Sequence, residues 1–245
     1  MMIPVVLLVL AATAQEPFRS QAELQAWLTY YYLRPRPELT IPSLDFMERE
    51  LQKAKGGSLA DEVSRGGMRT FYAKILEQNP SIVREIEPRL STWSPGRQAF
   101  VREALRRCDA AVCRQVLNPA SPVSPQAAQP DPGTLDDSWG AFFATGDEKF
   151  VREIIEVLPW SEARGDVKRL LTGAAARWSL ASNAYQHARV LAICERAAGE
   201  ATGPTKRMLE EIITRAKAER AKKPPPEPNG GASSNKALNL TSSAD

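Results

Sequence analysis

Histidine is almost missing from this chain: its 245 residues include one, His187. That removes most histidine-based metal centres and catalytic triads. Cysteine is scarce as well, with Cys108, Cys113 and Cys194 the whole complement. Were His187 and Cys194 on one helix they would stand about 10.5 Å apart along it. Zinc holds its ligands at about 2.0–2.3 Å, so the two would not meet one ion. No metal and no cofactor is expected. No glycine-rich phosphate loop is present either, because Gly56-Gly57 and Gly66-Gly67 lack a following Gly-Lys-Ser or Gly-Lys-Thr. A Gly-x-Ser-x-Gly nucleophile turn is also missing. Charge of one sign is not in excess: 32 basic against 29 acidic residues leaves +3, too little to announce a nucleic-acid binder. A mean hydropathy of −0.34 excludes a polytopic membrane protein.

The longest apolar run, residues 2–10, ends in Ala11-Ala12-Thr13-Ala14. Small residues after a short apolar stretch read as a secretory signal cleaved after Ala14, although no Lys or Arg precedes the run. At about ten residues it is half the length that spans a bilayer, so no stable membrane span is expected. A periplasmic or secreted location follows, where disulfides persist. Cys108 and Cys113 are five positions apart. An unbroken helix would separate them by about 7.5 Å and turn them to different faces. A disulfide needs Cα atoms within about 7 Å, which implies a corner between them, with Asp109 as N-cap of the helix beyond. Cys194 shares a helical stripe with Val190, Leu191, Ala197 and Ala198 and reads as a buried free thiol.

Helical periodicity runs through the chain and no strand alternation does. Leu24, Trp27, Leu28 and Tyr31 mark a first helix after Ser20. Others carry Leu44–Leu51, Met68–Leu76 up to Asn79-Pro80, Ile82–Leu90, Phe100–Cys108 opened by Ser94-Pro95, and a short one reaching Leu117. Five prolines within 118–133 read as a linker. Beyond it come helices bearing Leu135–Phe143, Phe150–Leu158, Val167–Tyr185, Val190–Ala198 and Met208–Ala216, then a Pro/Gly/Ser/Asn tail. The fold class is all-α: about 10–11 helices in two halves, stacked as helical hairpins in a solenoid-like or irregular bundle. The divisions are signal 1–14, an N-terminal helical module 15–117, linker 118–133, a C-terminal helical module 134–222 and a disordered tail 223–245.

A short pattern recurs: Ile82-Val83-Arg84-Glu85, Phe100-Val101-Arg102-Glu103 and Phe150-Val151-Arg152-Glu153. It predicts short helices with an apolar edge docked inward and Arg and Glu toward water.

Binding features stand out more than catalytic ones. Tyr30, Tyr31 and Tyr32 sweep about 200° of a helix, so they do not all face one core. At least one is expected at a surface or groove, with Arg34 and Arg36 as a rim. Trp178, beside the small-residue run Gly173–Ala176, is a further contact candidate. The preferred function is a non-catalytic module binding another protein of the envelope. The alternative is a carboxylate-dependent hydrolase of envelope polymers, drawing on Asp136-Asp137, Asp147-Glu148 or Glu210-Glu211, since two carboxylates about 5–10 Å apart hydrolyse glycosidic bonds. Asp136, Asp137, Asp147 and Glu148 also fall near expected helix starts, where capping accounts for them. His187, a lone histidine at a helix start, reads as structural, and Arg215–Lys223 as a solvated helix end.

The segments Trp139–Asp147, Phe150-Val151-Arg152, Arg177-Trp178-Ser179 and Asn183–Ala192 together resemble a group of uncharacterised exported bacterial helical proteins. The resemblance covers the second half and implies helices and export; it brings no activity and no functional residues.

Overall fold

The computed structural model describes residues 16–53, 59, 67–117 and 130–225. The expected signal (1–14), most of the expected linker (118–129), the glycine-bracketed loop (except Leu59 and Gly67) and the tail from 226 lie outside the described residues. Within them every regular element is helical.

Local chemistry sets most boundaries. Helix α1 (Gln21–Tyr30) starts where the Ser20 hydroxyl accepts the Glu23 N–H, and it continues into a 3-10 turn, Tyr31–Leu33. Helix α2 is Thr40–Lys53. Helix α3 (Met68–Gln78) ends at Asn79, whose side chain donates to the Ile75 carbonyl, and Pro80 opens α4 (Pro80–Ile86). Proline suits a first helical turn because the N–H it lacks would have no helical partner there. Ser94 and Pro95 repeat that arrangement for α5 (Pro95–Arg106), with Ser94 accepting the Arg97 N–H. The short α6 (Ala111–Val116) follows.

Helix α7 (Pro132–Thr145) begins two residues inside the expected linker. Asp131 and Thr134 form a reciprocal capping box, and Pro132 occupies the first turn. The Asp131-Pro132-Gly133 run is therefore a helix start rather than linker. Asp136 and Asp137 consequently sit a full turn into the helix and cap nothing. Then come α8 (Glu148–Glu156), a 3-10 turn (Leu158–Glu162), α9 (Val167–Gln186), α10 (Ala188–Glu200) and α11 (Gly203–Lys222). Asp147 and Asp166 cap α8 and α9 through the N–H groups of Lys149 and Arg169.

Two apolar cores form. The first gathers Trp27, Tyr31, Phe71, Tyr72 and Phe100, with Trp27 edge-on to Tyr31 and Phe71 at 5.5 Å each. Its edge is tied by Arg97, buried and paired with Asp45 and Glu48, with its guanidinium over Trp93. The second gathers Phe142, Val151, Ile154, Leu158, Leu180, Val190, Ile193, Met208 and Leu209. Helix α7 belongs to both: Phe142 lies in the second, Ala144 in the first, and Phe143 packs against each.

The contact between α3 and α7 is backbone on backbone. A Cβ on Gly140 would lie 2.0 Å from the Gly67 carbonyl oxygen, and one on Gly67 would lie 1.9 Å from that of Asp136. Only glycine permits this approach. Beside it, Asp137 accepts from Thr70 at 2.6 Å and from Arg107 at 2.8 Å, joining α7 to α3 and α5.

The recurring Arg-Glu pattern turns its valine inward each time, while its charged pair ranges from exposed to half-buried, as at Arg102 and Glu103. Val83, Val101 and Val151 are buried, while Arg84 and Glu85 are exposed and Arg152 pairs with Glu148 and Glu200 at the surface. Cys108 and Cys113 are at disulfide distance, Cα atoms 6.0 Å apart, across the expected corner. The N-cap position beyond that corner is Ala110 rather than Asp109. Asp109 instead pairs with Lys74. Cys194 is buried and free.

Candidate functional site

Two of the three tyrosines, Tyr31 and Tyr32, are divided between the two cores. Tyr31 is buried in the first. Tyr32 turns the other way, its ring tilted against Phe142 at 5.0 Å and its hydroxyl hydrogen-bonded to His187 Nδ1 at 3.1 Å. Tyr30 lies 5.2 Å from the same imidazole, as does Phe143. The aromatic triplet thus pins α1 to the end of α9, and His187 closes the joint as the residue between α9 and α10.

Burial silences the reactive groups of that joint. Desolvation, with Arg220 nearby, pushes the His187 pKa down to about 4, so the ring is neutral at pH 7. Desolvation raises the Tyr32 hydroxyl to about 12 and, away from the joint in the second core, the Cys194 thiol also to about 12. Arg36 is occupied by Glu38 at 3.0 Å. Arg34 is exposed at the end of the 3-10 turn, its backbone N–H bonded to the Tyr31 carbonyl.

The carboxylates are distributed differently. Asp147 caps α8. Asp137 is held by Thr70 and Arg107, while burial and Asp137 beside it raise the Asp136 pKa. Glu148 is held by Arg152 and Arg196, and Glu211 by Arg177. Among the described residues no group of three or more His, Cys, Asp or Glu is placed to hold a metal ion, and no helix is long and apolar enough to cross a membrane.

Trp178 occupies a different setting. Its indole is 74% exposed, and Val167 (70%), Leu171 (58%) and Leu170 (40%) are exposed on the same helix. The cause is the opposite face of α9. Thr172, Gly173, Ala176, Leu180 and Ala184 are the residues turned inward. A Cβ on Gly173 would come within 2.0 Å of the Ser161 backbone nitrogen, so the 158–162 turn lies directly on the helix. Small residues secure that close packing and leave the larger ones outside. Between α9 and α11 a groove of about 540 Å³ opens beside Trp178, floored by Ala174, Ala181 and Ile212. Its rim holds Arg177, Arg215, Glu211 and Glu219. These are already paired, Arg177 with Glu211 and Arg215 with Glu219 at 2.8 Å.

Of the expected contact residues, therefore, Trp178 presents an open surface, whereas Tyr30, Tyr31 and Tyr32 meet interior partners. Val167, Leu170 and Leu171 were not singled out from sequence as contact residues. That they lie exposed on the same helix as Trp178 is a finding of the structure.

No family model, no curated protein and no solved structure matches the chain.

Proposed function

We propose that this chain is an exported, non-catalytic module that binds another protein in its compartment through the outer face of α9. The observation that supports this most directly is the row Val167, Leu171 and Trp178, three large apolar side chains left more than half exposed along one helix. Contiguous exposed apolar surface marks interaction sites, and tryptophan is the residue most enriched where binding energy concentrates. The paired charges along the groove leave its rim without an unsatisfied ion for a partner to match. The neutral, buried state of His187 and Cys194 favours binding over nucleophilic chemistry at those groups.

The test is a titration against envelope extract fractions, with bound protein identified after crosslinking. Saturable binding should weaken at least about tenfold in Trp178→Ala and Leu171→Asp. Neither exposed substitution should lower Tm. Lack of any saturable protein binding, or binding indifferent to both changes, would sink the reading. Export is checked separately: the N-terminus of the mature protein should begin at Gln15.

A further inference from the structure

The outer stripe has a definite order, exposed at Val167, Leu171, Ala174 and Trp178 and continued by the half-buried Ala181, against the second core, and Tyr185, whose hydroxyl donates to the Lys223 carbonyl. Val167, Leu171, Ala174, Trp178, Ala181 and Tyr185 follow one another at spacings of four, three, four, three and four. At 3.6 residues per turn all six fall within about 40° of a single line, opposite the buried face. That alternation is the seam of a two-helix pairing, in which each side chain enters a hole on the facing helix.

The stripe is also complementary to itself when reversed. Turned end for end about the level of Ala176, Leu171 meets Ala181, Trp178 meets Ala174 and Val167 meets Tyr185. In the two inner layers a large side chain lies opposite an alanine, which interdigitates without overpacking. In parallel register Trp178 would face Trp178 and each alanine another alanine, giving a clash in one layer and gaps in two.

We propose that the partner of this face is a second copy of the chain, its α9 lying antiparallel on the first across a two-fold axis. The proposal rests on the face being a protein-binding surface. The groove receives the reversed pairing: Ala174, the position that the copy's Trp178 covers, lies on its floor, and about 540 Å³ accommodates an indole. Its rim carries two basic and two acidic groups, so a copy meets no excess of like charge. Burial sets the strength. The seam is about 27 Å long and a helix about 10–12 Å wide. That is a narrow strip beside the about 800 Å² per partner of a standard interface, so a micromolar dimer is expected rather than a nanomolar one.

The experiment is sedimentation equilibrium of the intact mature protein from micromolar to sub-millimolar concentration. The solution mass should double across that range, and Ala174→Glu and Trp178→Ala should each stay monomeric with unchanged Tm. Register is read from single-cysteine variants Leu171→Cys and Ala181→Cys, mixed in equal amounts and oxidised. Antiparallel pairing predicts covalent heterodimer in excess over either homodimer. Predominant homodimers from each variant alone would overturn the proposal, and so would a wild-type protein that stays monomeric throughout. In that last case saturable, Trp178-dependent binding to a different protein would leave the broader functional reading standing, and its loss as well would remove both.

Discussion

The Tyr32 hydroxyl meets the His187 imidazole at 3.1 Å, joining residues 155 positions apart. The other ring nitrogen, Nε2, is buried with no hydrogen-bond partner. Burial of the ring, with Arg220 nearby, disfavours the imidazolium, which is why the ring stays neutral.

Acid should therefore loosen the joint. The His187 pKa is depressed from 6.5 to about 4, so the unfolded chain binds the extra proton first. Stability from this residue is complete above pH 6.5 and declines as pH falls toward 4, by about 3 kcal/mol in total. Below about pH 4 both states are protonated and this contribution no longer changes. Urea unfolding at stepped pH measures the decline, and His187→Gln should flatten it between pH 6.5 and 4.

Gly140→Ala should be among the most damaging single-methyl additions in the protein. The new Cβ would overlap the Gly67 carbonyl at 2.0 Å, and both groups are backbone, so no rotamer change relieves it. A loss of about 3 kcal/mol or more is expected. Ala at Gly199, where an added Cβ meets nothing within 4 Å, is the control and should be neutral or stabilising. Chemical denaturation compares the pair.

Asp137→Asn and Asp147→Ala should each cost stability, for different reasons. The first weakens the half-buried bond to Arg107, and the second removes the cap of α8. About 1 kcal/mol is expected from each. Thermal melts of both variants, alongside turnover of cell-wall material, separate structure from chemistry: retained folding with abolished turnover would favour the hydrolase reading.

Thiol labelling should count one cysteine, and only after unfolding. Cys194 is buried, with its thiol raised to about 12, so alkylation of the native protein at pH 8 should be negligible. Denaturation without reductant should admit one label, and with reductant three. The Cys108–Cys113 loop is short, and replacing both residues by Ala should cost about 2 kcal/mol.

What could be read in advance was whatever neighbours in sequence decide. Ser20, Ser94 and Asn79-Pro80 mark helix ends because a cap or a missing N–H acts within one turn. The need for Tyr30–Tyr32 to divide followed from 100° of turn per residue; that Tyr32 would find His187 did not, since the partner comes from the far half. Asp131-Pro132-Gly133 resembled linker by composition, and only the capping box with Thr134 shows it opening a helix. Helix α9 is the most instructive case. Its sequence displays two faces, one of large apolar residues and one of small, and which turns inward depends on how closely the 158–162 turn approaches Gly173. No local pattern encodes that distance.

Helix α7 supplies side chains to both cores, so neither can be dismantled without stripping a wall from the other. Heat or denaturant should accordingly meet one unit with a single melting transition, and a fragment ending before Pro132 would lack the surface on which Phe71 and Tyr32 close. A protein divided by composition into halves would thus come apart as a whole.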